Sequence, residues 1–389
     1  MGMSQPNTNR VARGFLCLIG LILGSPAAAS DFSQLRRLLK EVVANGTVAG
    51  GSVLVLHRGE SVFEEGFGFA DVKSKTPFRL GTPVVIASIS KPLLATAAFR
   101  LSEQKKVTLT APITDYLAEF AHAKLESGTP LTHAPTAIEL FTHTSGIRRS
   151  DASGGRPWLA KWTEGEPLSA VVKRYAREFP FKTQPGTRYA YSGIGTDVAA
   201  RVLEVAAAQP RNELLVTVIA KPLGMTHTFY RDAESLRRIG TMPTRYYHGK
   251  DGTIVESRLR PVPPTNTYSS SGGAIISTAP DLARWLLMIR NNGQHEGQAF
   301  LSRETVAEML SRYPPSLKGR GGLSLLRKSD SGEAIVVGHT GSSGTSCWID
   351  FEKDLIGIML TQTKGKDIKP FRLELEKRIY ECLDMAIAR

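Results

Sequence analysis

The sequence predicts an α+β fold: one antiparallel sheet built from both ends of the chain and flanked by helices, with a mostly helical segment inserted between. Three observations predict it. Strand-like runs gather at the two ends, Gly51–His57 and Ser61–Phe69 on one side, Leu323–Arg327, Ala334–His339, Thr345–Phe351 and Leu355–Gln362 on the other. Helical patterns fill the middle. The outer helices, Asp31–Ala44 and Lys369–Ala388, each carry one apolar stripe, as helices covering a sheet do. The division that follows is a leader over residues 1–29 and one domain over 30–389, its α/β part at about 30–90 and 315–389 and its helical part at about 91–314.

Residues 1–29 have the pattern of a secretory signal. Arg10 and Arg13 form a basic start, Gly14–Leu23 an apolar stretch too short to span a bilayer, and Ala27-Ala28-Ala29 a cleavage site before Ser30. A retained N-terminal anchor is the alternative. The expectation is a periplasmic or secreted protein, in a compartment that permits disulfides. Cys17 leaves with the leader, so Cys347 and Cys382 remain. Cys347 alternates with Ile349 and Phe351 on one strand face, and Cys382 lies on the stripe of the last helix. They bridge if that helix packs on that face, and otherwise stay as buried thiols.

The first amphipathic helix buries Leu35, Leu38, Leu39 and Val42, and Arg58-Gly59-Glu60 turns the first two strands. Pro92 fixes the frame of the next helix, because proline is tolerated only in a first helical turn. Ile89, Leu93, Leu94, Ala97, Ala98 and Leu101 cover nearly every face, so that helix is buried. Residues 107–120 read as loop and short helix. Ile138–Ile147 reads as a short helix ending at Gly146; His143 there could be a base, but a packed histidine at a helix end is the commoner case. Ser150–Pro167 is a polar loop rich in Gly and Trp. Helices follow with Val198, Val202 and Val205 on one face, then over Asn212–Lys221, and over Ala279–Ile289. A hairpin turns at Lys250-Asp251-Gly252.

Composition narrows the function classes. Of 389 residues, 41% are hydrophobic and 22% charged, which describes a soluble globular protein. The net charge of +13 is scattered, without a basic stripe interleaved with aromatics. That argues against nucleic acid as a partner and fits weak attraction to an anionic cell envelope. The eight histidines show no metal-site spacing such as H-E-x-x-H.

The residues that carry chemistry begin at Ser88-Ile89-Ser90-Lys91. On a helix, positions i and i+3 share a face, so hydroxyl and amine can meet at its N-terminus. A serine becomes nucleophilic when a base takes its proton, and a lysine can be that base where burial and the helix end lower its pKa. Alone the motif is weak: average composition yields about one S-x-x-K in a chain of this length, and a helix-capping serine before a surface lysine would look the same. Tyr191 stands just before a helix, where a phenol beside a cation can shuttle a proton. His339-Thr340-Gly341 ends a strand, with glycines that let backbone come close to a ligand and an N–H for an oxyanion.

Together these stretches resemble the serine β-lactamase and penicillin-binding-protein superfamily, closest to the hydrolases and esterases related to class C β-lactamases, over about Ala44 to Met385. Ser88-Ile89-Ser90-Lys91 matches its S-x-x-K box. Leu140-Phe141-Thr142-His143-Thr144-Ser145-Gly146 looks like its L-L-T-H-T-S-G stretch. Pro185-Gly186-Thr187 to Tyr191-Ser192 resembles P-G-x-x-F-x-Y-S, Ser271-Gly272-Gly273 with Ser277-Thr278 resembles G-G-x-x-S-T, and His339-Thr340-Gly341 stands for K-T-G or H-x-G.

The resemblance implies a β-lactamase/transpeptidase-like fold and a Ser88 acyl-enzyme. It implies that Lys91 and Tyr191 exchange the proton, that the N–H groups of Ser88 and Ser342 hold the oxyanion, and that His339, Thr340 and Gly341 line the substrate. It implies no cofactor or metal, and a small-molecule or cell-wall-peptide substrate. Two positions depart from the pattern. Gly193 replaces the asparagine of the Y-x-N box, and His339 replaces the lysine of K-T-G, removing an amide and a permanent charge that hold a β-lactam. An esterase, D-amino-acid peptidase or amidase is therefore expected ahead of a β-lactamase, and a non-catalytic penicillin- or peptidoglycan-binding module is the rival from another class. The oligomeric state is left open.

Overall fold

The structure, a computed structural model, describes residues 31–147, 166–257, 268–311, 325–328, 334–365 and 368–384. The expected leader, most of the expected 150–167 loop and residues 385–388 of the expected closing helix lie outside these residues.

Helix α1, Ser33–Ala44, leads into strands β1, Gly50–His57, β2, Glu60–Asp71, and β3, Thr76–Pro77. Helix α2 covers Ser90–Glu103 and α3 covers Gly193–Ala207. The chain returns through β4, Leu325–Lys328, β5, Ala334–Thr340, β6, Ser346–Asp350, and β7, Leu355–Thr361, and closes with α4, Ile368–Cys382. These seven strands form one sheet in the order β4-β5-β6-β7-β1-β2-β3. The first and last parts of the chain meet at its centre, where β1 pairs antiparallel with β7, Gly51 opposite Thr361 and His57 opposite Leu355.

Because side chains alternate across a strand, the continuous apolar run of β1 serves two cores. Val53 and Val55, with Phe63, Trp348, Leu355 and Met359, face α1 and α4. Leu54 and Leu56, with Cys347, Ile349, Ile356 and Ile358, face α2 and the inserted helices. This alternation decides the cysteine question. Cys347 points to the α2 side, whereas Cys382 packs on the α1–α4 side, and both thiols are unbridged. The condition for a bridge fails because α4 covers the opposite face. Burial pushes the Cys347 thiol up to about 12, so it stays protonated at neutral pH.

Helix α2 is apolar all round and buried all round, from Ser90 to Phe99. Its one central hydroxyl is satisfied: Thr96 donates to Pro92 O at 2.9 Å and accepts from the Trp285 indole at 3.0 Å. In the insertion, the helix expected to reach Gly146 covers only Ala137–Phe141, entered through a Thr136/Glu139 capping box. It stops early because Thr142 ends it and His143 turns left-handed at φ +60°. The helix expected over Asn212–Lys221 is an α-turn, Arg211–Leu214, running into a π-helical segment, Leu215–Ala220. The hairpin pairs Tyr246–His248 with Ile254–Glu256, and a small ribbon joins Val84–Val85, Ile275–Ser277 and Phe229–Tyr230. That ribbon delivers the chain to Ser88.

Candidate active site

Ser88 sits in a 3-10 turn, Ala87–Ile89, immediately before α2. Ala87 is left-handed at φ +51°, a conformation that costs a non-glycine residue roughly 1 kcal/mol or more and needs support. The support comes from the turn at the end of β5 and from the residue that follows β7. Thr345 Oγ1 donates to Ile86 O at 3.0 Å, Ser343 Oγ to Val85 O at 2.8 Å, and Gln362 Nε2 to Val85 O at 3.2 Å. From the other side, Ile86 N–H donates to Ile275 O at 2.9 Å.

Lys91 stands one helical turn beyond Ser88 and is buried. Its Nζ lies 3.3 Å from Ser88 Oγ and donates to Gly272 O at 2.6 Å. It also lies 4.8 Å from the centre of the Tyr191 ring. The Tyr191 hydroxyl is hydrogen-bonded to Ser88 Oγ at 2.8 Å. Ser88 and Lys91, three residues apart, thus join with the distant Tyr191 and Gly272 in one chain of hydrogen bonds, phenol to hydroxyl to amine to carbonyl.

His143 fixes the Tyr191 segment. Its carbonyl accepts from Ala190 N–H at 2.7 Å, its Nδ1 accepts from Ser192 N–H at 3.2 Å, and its ring lies 4.5 Å from that of Tyr191. It is a packed histidine here, and its left-handed backbone is what turns the carbonyl and ring to the same neighbour. Ser192 then caps α3, accepting from Gly195 N–H at 2.9 Å. Gly193 is the first residue of α3, so the position after Ser192 offers no side-chain amide.

His339 is buried at the end of β5, opposite Cys347 in the register. Its Nδ1 lies 2.7 Å from Thr340 O, and since a carbonyl only accepts, Nδ1 carries the proton. Gly341 approaches protein backbone: a Cβ there would lie 2.5 Å from Ile86 O. Its N–H is spent on Thr345 O at 2.8 Å. Ser342 is exposed at the tip of the same turn. Ser88 Oγ is reached by Lys91 and Tyr191. Thr340, Gly341 and Ser342 are held beside it through the turn and the contact with Ile86.

Sequence reasoning missed a buried group behind the site. Asp197 on α3 accepts from Ser271 N–H at 2.7 Å and from the Tyr268 hydroxyl at 2.8 Å. Arg211 donates to Ser271 Oγ at 2.6 Å and to Ser269 Oγ at 3.1 Å. Burial, then Asp197, holds the Tyr268 phenol well above its usual value, and burial raises that of Tyr230, so both remain donors. The signal available was an acid, Asp197, between Ile194 and Val198 on an apolar helix face. A cavity of about 810 Å³, lined by Arg201, Glu204, Gln209, Asn212 and Asp232 among others, lies at the far end of α3 and includes none of Ser88, Lys91 and Tyr191.

The sequence model of the Beta-lactamase family matches residues 35–378. The chain belongs to the β-lactamase family. Within its wider relatives, the chain is 28% identical to esterase EstB of Burkholderia gladioli over 91% of its own length and 96% of that protein. It is 28% identical to the D-alanyl-D-alanine-carboxypeptidase/endopeptidase AmpH of Escherichia coli, over 67% of this chain and 62% of that one. Its fold matches EstCE1, described as a hydrolase with promiscuous acyltransferase activity, with a TM-score of 0.77 at 20% identity, over 89% of this chain and 97% of that one. The protein is a serine hydrolase of the β-lactamase fold, as the S-x-x-K, Y-S and H-T-G stretches lead one to expect.

Proposed function

We propose that the protein is an exported hydrolase that cleaves esters or D-amino-acid peptides through an acyl-enzyme on Ser88, in preference to β-lactams. The observation that carries this reading is the placement of Ser88 Oγ between the Tyr191 hydroxyl, at 2.8 Å, and Lys91 Nζ, at 3.3 Å. Such distances suit proton transfer to and from a nucleophile. Ser88 Oγ bonds to the substrate carbonyl carbon and its proton passes to the Lys91–Tyr191 pair. The tetrahedral oxyanion rests on the N–H groups of Ser88 and Ser342. The pair protonates the departing alcohol or amine as its bond to carbon breaks. Water then attacks the acyl-enzyme, gives its proton to the same pair, and the pair returns one to Ser88.

Substrate preference follows from what the strand and helix ends offer. A β-lactam is held by its carboxylate and side-chain amide as well as its carbonyl. His339 supplies no permanent charge and Gly193 no amide, while a small ester needs only the groups that remain. Each missing polar contact weakens binding by about 1–3 kcal/mol. The activities named for EstB and AmpH, an esterase and a D-alanyl-D-alanine carboxypeptidase, support the same choice. Export rests on the leader pattern of residues 1–29 and places the enzyme in the periplasm or outside the cell, where weak attraction to the anionic envelope holds it near peptide substrates.

The test compares kcat/KM for a short-chain nitrophenyl ester, a D-alanyl-D-alanine peptide and nitrocefin, with mass spectrometry of the acylated chain. Faster ester or D-peptide turnover and an adduct on Ser88 are expected. Faster nitrocefin turnover makes the protein a β-lactamase; slow adduct formation without turnover makes it a binding module. N-terminal sequencing of exported protein should give Ser30, and a chain still starting at Met1 overturns cleavage of the leader.

A further inference from the structure

We infer that Asp197 and Arg211 are positioning residues for Lys91, acting through the Ser271-Gly272 backbone. This rests on the reading that Lys91 exchanges the Ser88 proton. Ser271 is held at every polar atom. Its N–H donates to Asp197 Oδ1 at 2.7 Å, its Oγ accepts from Arg211 at 2.6 Å, and its carbonyl accepts from the Tyr230 hydroxyl at 3.1 Å. Asp197, Arg211, Ser271 and Tyr230 are all buried. Arg211 also lies 4.6 Å from the Tyr230 ring centre. Every polar group of one loop residue thus has a buried partner, two of them charged.

A loop does not need that to stay folded. Hydrogen bonds to charged groups are short and stiff, and a buried, satisfied network specifies one geometry. The next residue is where the stiffness is used. Gly272 O accepts from Lys91 Nζ at 2.6 Å, and the bare Gly272 Cα lets the amine lie alongside it: a Cβ there would stand 2.9 Å from Nζ and 3.0 Å from Cε. Ser90, next to Lys91, is tied to the same segment, its Oγ accepting from Ile275 N–H at 3.1 Å. The acid on α3 and the arginine after it therefore set where the Gly272 carbonyl stands. That carbonyl sets where the amine stands relative to Ser88. A displacement of about 1 Å in such a group costs up to about a hundredfold in rate.

The experiment uses the full mature chain and two readouts, steady-state hydrolysis of a nitrophenyl ester and the rate of Ser88 labelling by a fluorophosphonate. Ser271→Ala removes only the hydroxyl that meets Arg211. It should lower kcat about tenfold with KM within about twofold, and slow labelling by a similar factor. Arg211→Lys should keep more activity than Arg211→Met. The deciding measurement places Ser271→Ala in a Lys91→Ala background, where labelling should change by less than about twofold because the group being positioned is gone. If Ser271→Ala folds poorly, Arg211→Lys in the same two backgrounds gives the same comparison, since it alters the group that holds the Ser271 hydroxyl. Equal losses in both backgrounds, or a rise in KM with kcat kept, overturn this inference alone. A wild-type chain that neither turns over ester nor takes label on Ser88 overturns it together with the acyl-enzyme reading.

Discussion

The two faces of the central sheet are built on different principles. The face under α1 and α4 is packed with Leu35, Leu39, Val53, Val55, Met359, Leu375 and Ile379, and its buried acid, Asp350, accepts from the Tyr380 hydroxyl at 2.7 Å. The face under α2 is as apolar over the centre of the sheet but buries His339 at the end of β5 and Lys91, Glu139, Asp197 and Arg211 further out. Apolar contact is non-directional: it adds stability and tolerates small shifts. Hydrogen-bonded charge fixes atoms in place and penalises any shift. The protein keeps the first kind of packing where it needs only cohesion and the second where chemistry needs distances held.

The sharpest break between the faces should come from the site itself. Ser88→Ala and Lys91→Ala are each expected to lower ester kcat by about a thousandfold or more, their effects should not add, and the far-ultraviolet circular dichroism should be unchanged. Appreciable turnover by Ser88→Ala would move the nucleophile elsewhere. On the opposite face, Leu375→Ala should do the reverse. It should cost about 2–5 kcal/mol in denaturant unfolding, as core truncations do, and leave kcat/KM within about twofold under folding conditions. A comparable loss of activity at full folding would show that the faces are coupled.

A smaller effect tests substrate choice. Gly193→Asn combined with His339→Lys should raise nitrocefin kcat/KM about tenfold or more relative to the nitrophenyl ester. No gain would remove those two positions from the account of specificity. The smallest effect concerns pH. Arg290, at the end of the helix Ala279–Arg290, grips Asp354 between β6 and β7 with bonds of 2.6 and 2.5 Å and holds its carboxyl below the usual carboxylate value. A depressed folded value means the contribution is complete above the unfolded carboxylate pKa of about 4 and fades as pH falls through the folded one. The pair is partly exposed, so Arg290→Met should cost under about 1 kcal/mol at pH 7 and nothing at strongly acidic pH. A cost that grows on acidification would reverse the sign.

The sheet was legible because its strands carry local signals: alternation, Arg58-Gly59-Glu60 as a turn, and one stripe on each outer helix. Ser88, Lys91, Tyr191 and His339 were legible as spaced motifs, and a three-residue offset on a helix survives folding whatever surrounds it. What was hidden depended on the face each residue meets. Cys347 and Cys382 read as possible neighbours until the alternation of β6 was matched to the position of α4. Asp197 and Arg211 were invisible as a pair because their common partner, Ser271, lies 74 and 60 positions away in the chain. The early stop at Thr142 was hidden because a histidine, not a glycine, takes the left-handed turn.

The pairing of β1 with β7 also governs time. Thr361 Oγ1 donates to Gly50 O across 311 positions of chain, and Ala49 N–H donates to Thr363 Oγ1 across 314. A sheet closed by contacts of that span cannot form its central ladder until the C-terminal strands have been synthesised, and closing so long a loop is slow. The Ser88 turn inherits the delay, because Thr345, Ser343 and Gln362 are what hold Val85 and Ile86 in place. The central ladder and the support of the Ser88 turn therefore form only after nearly the whole chain has been made, so the nucleophile geometry is among the last features to appear.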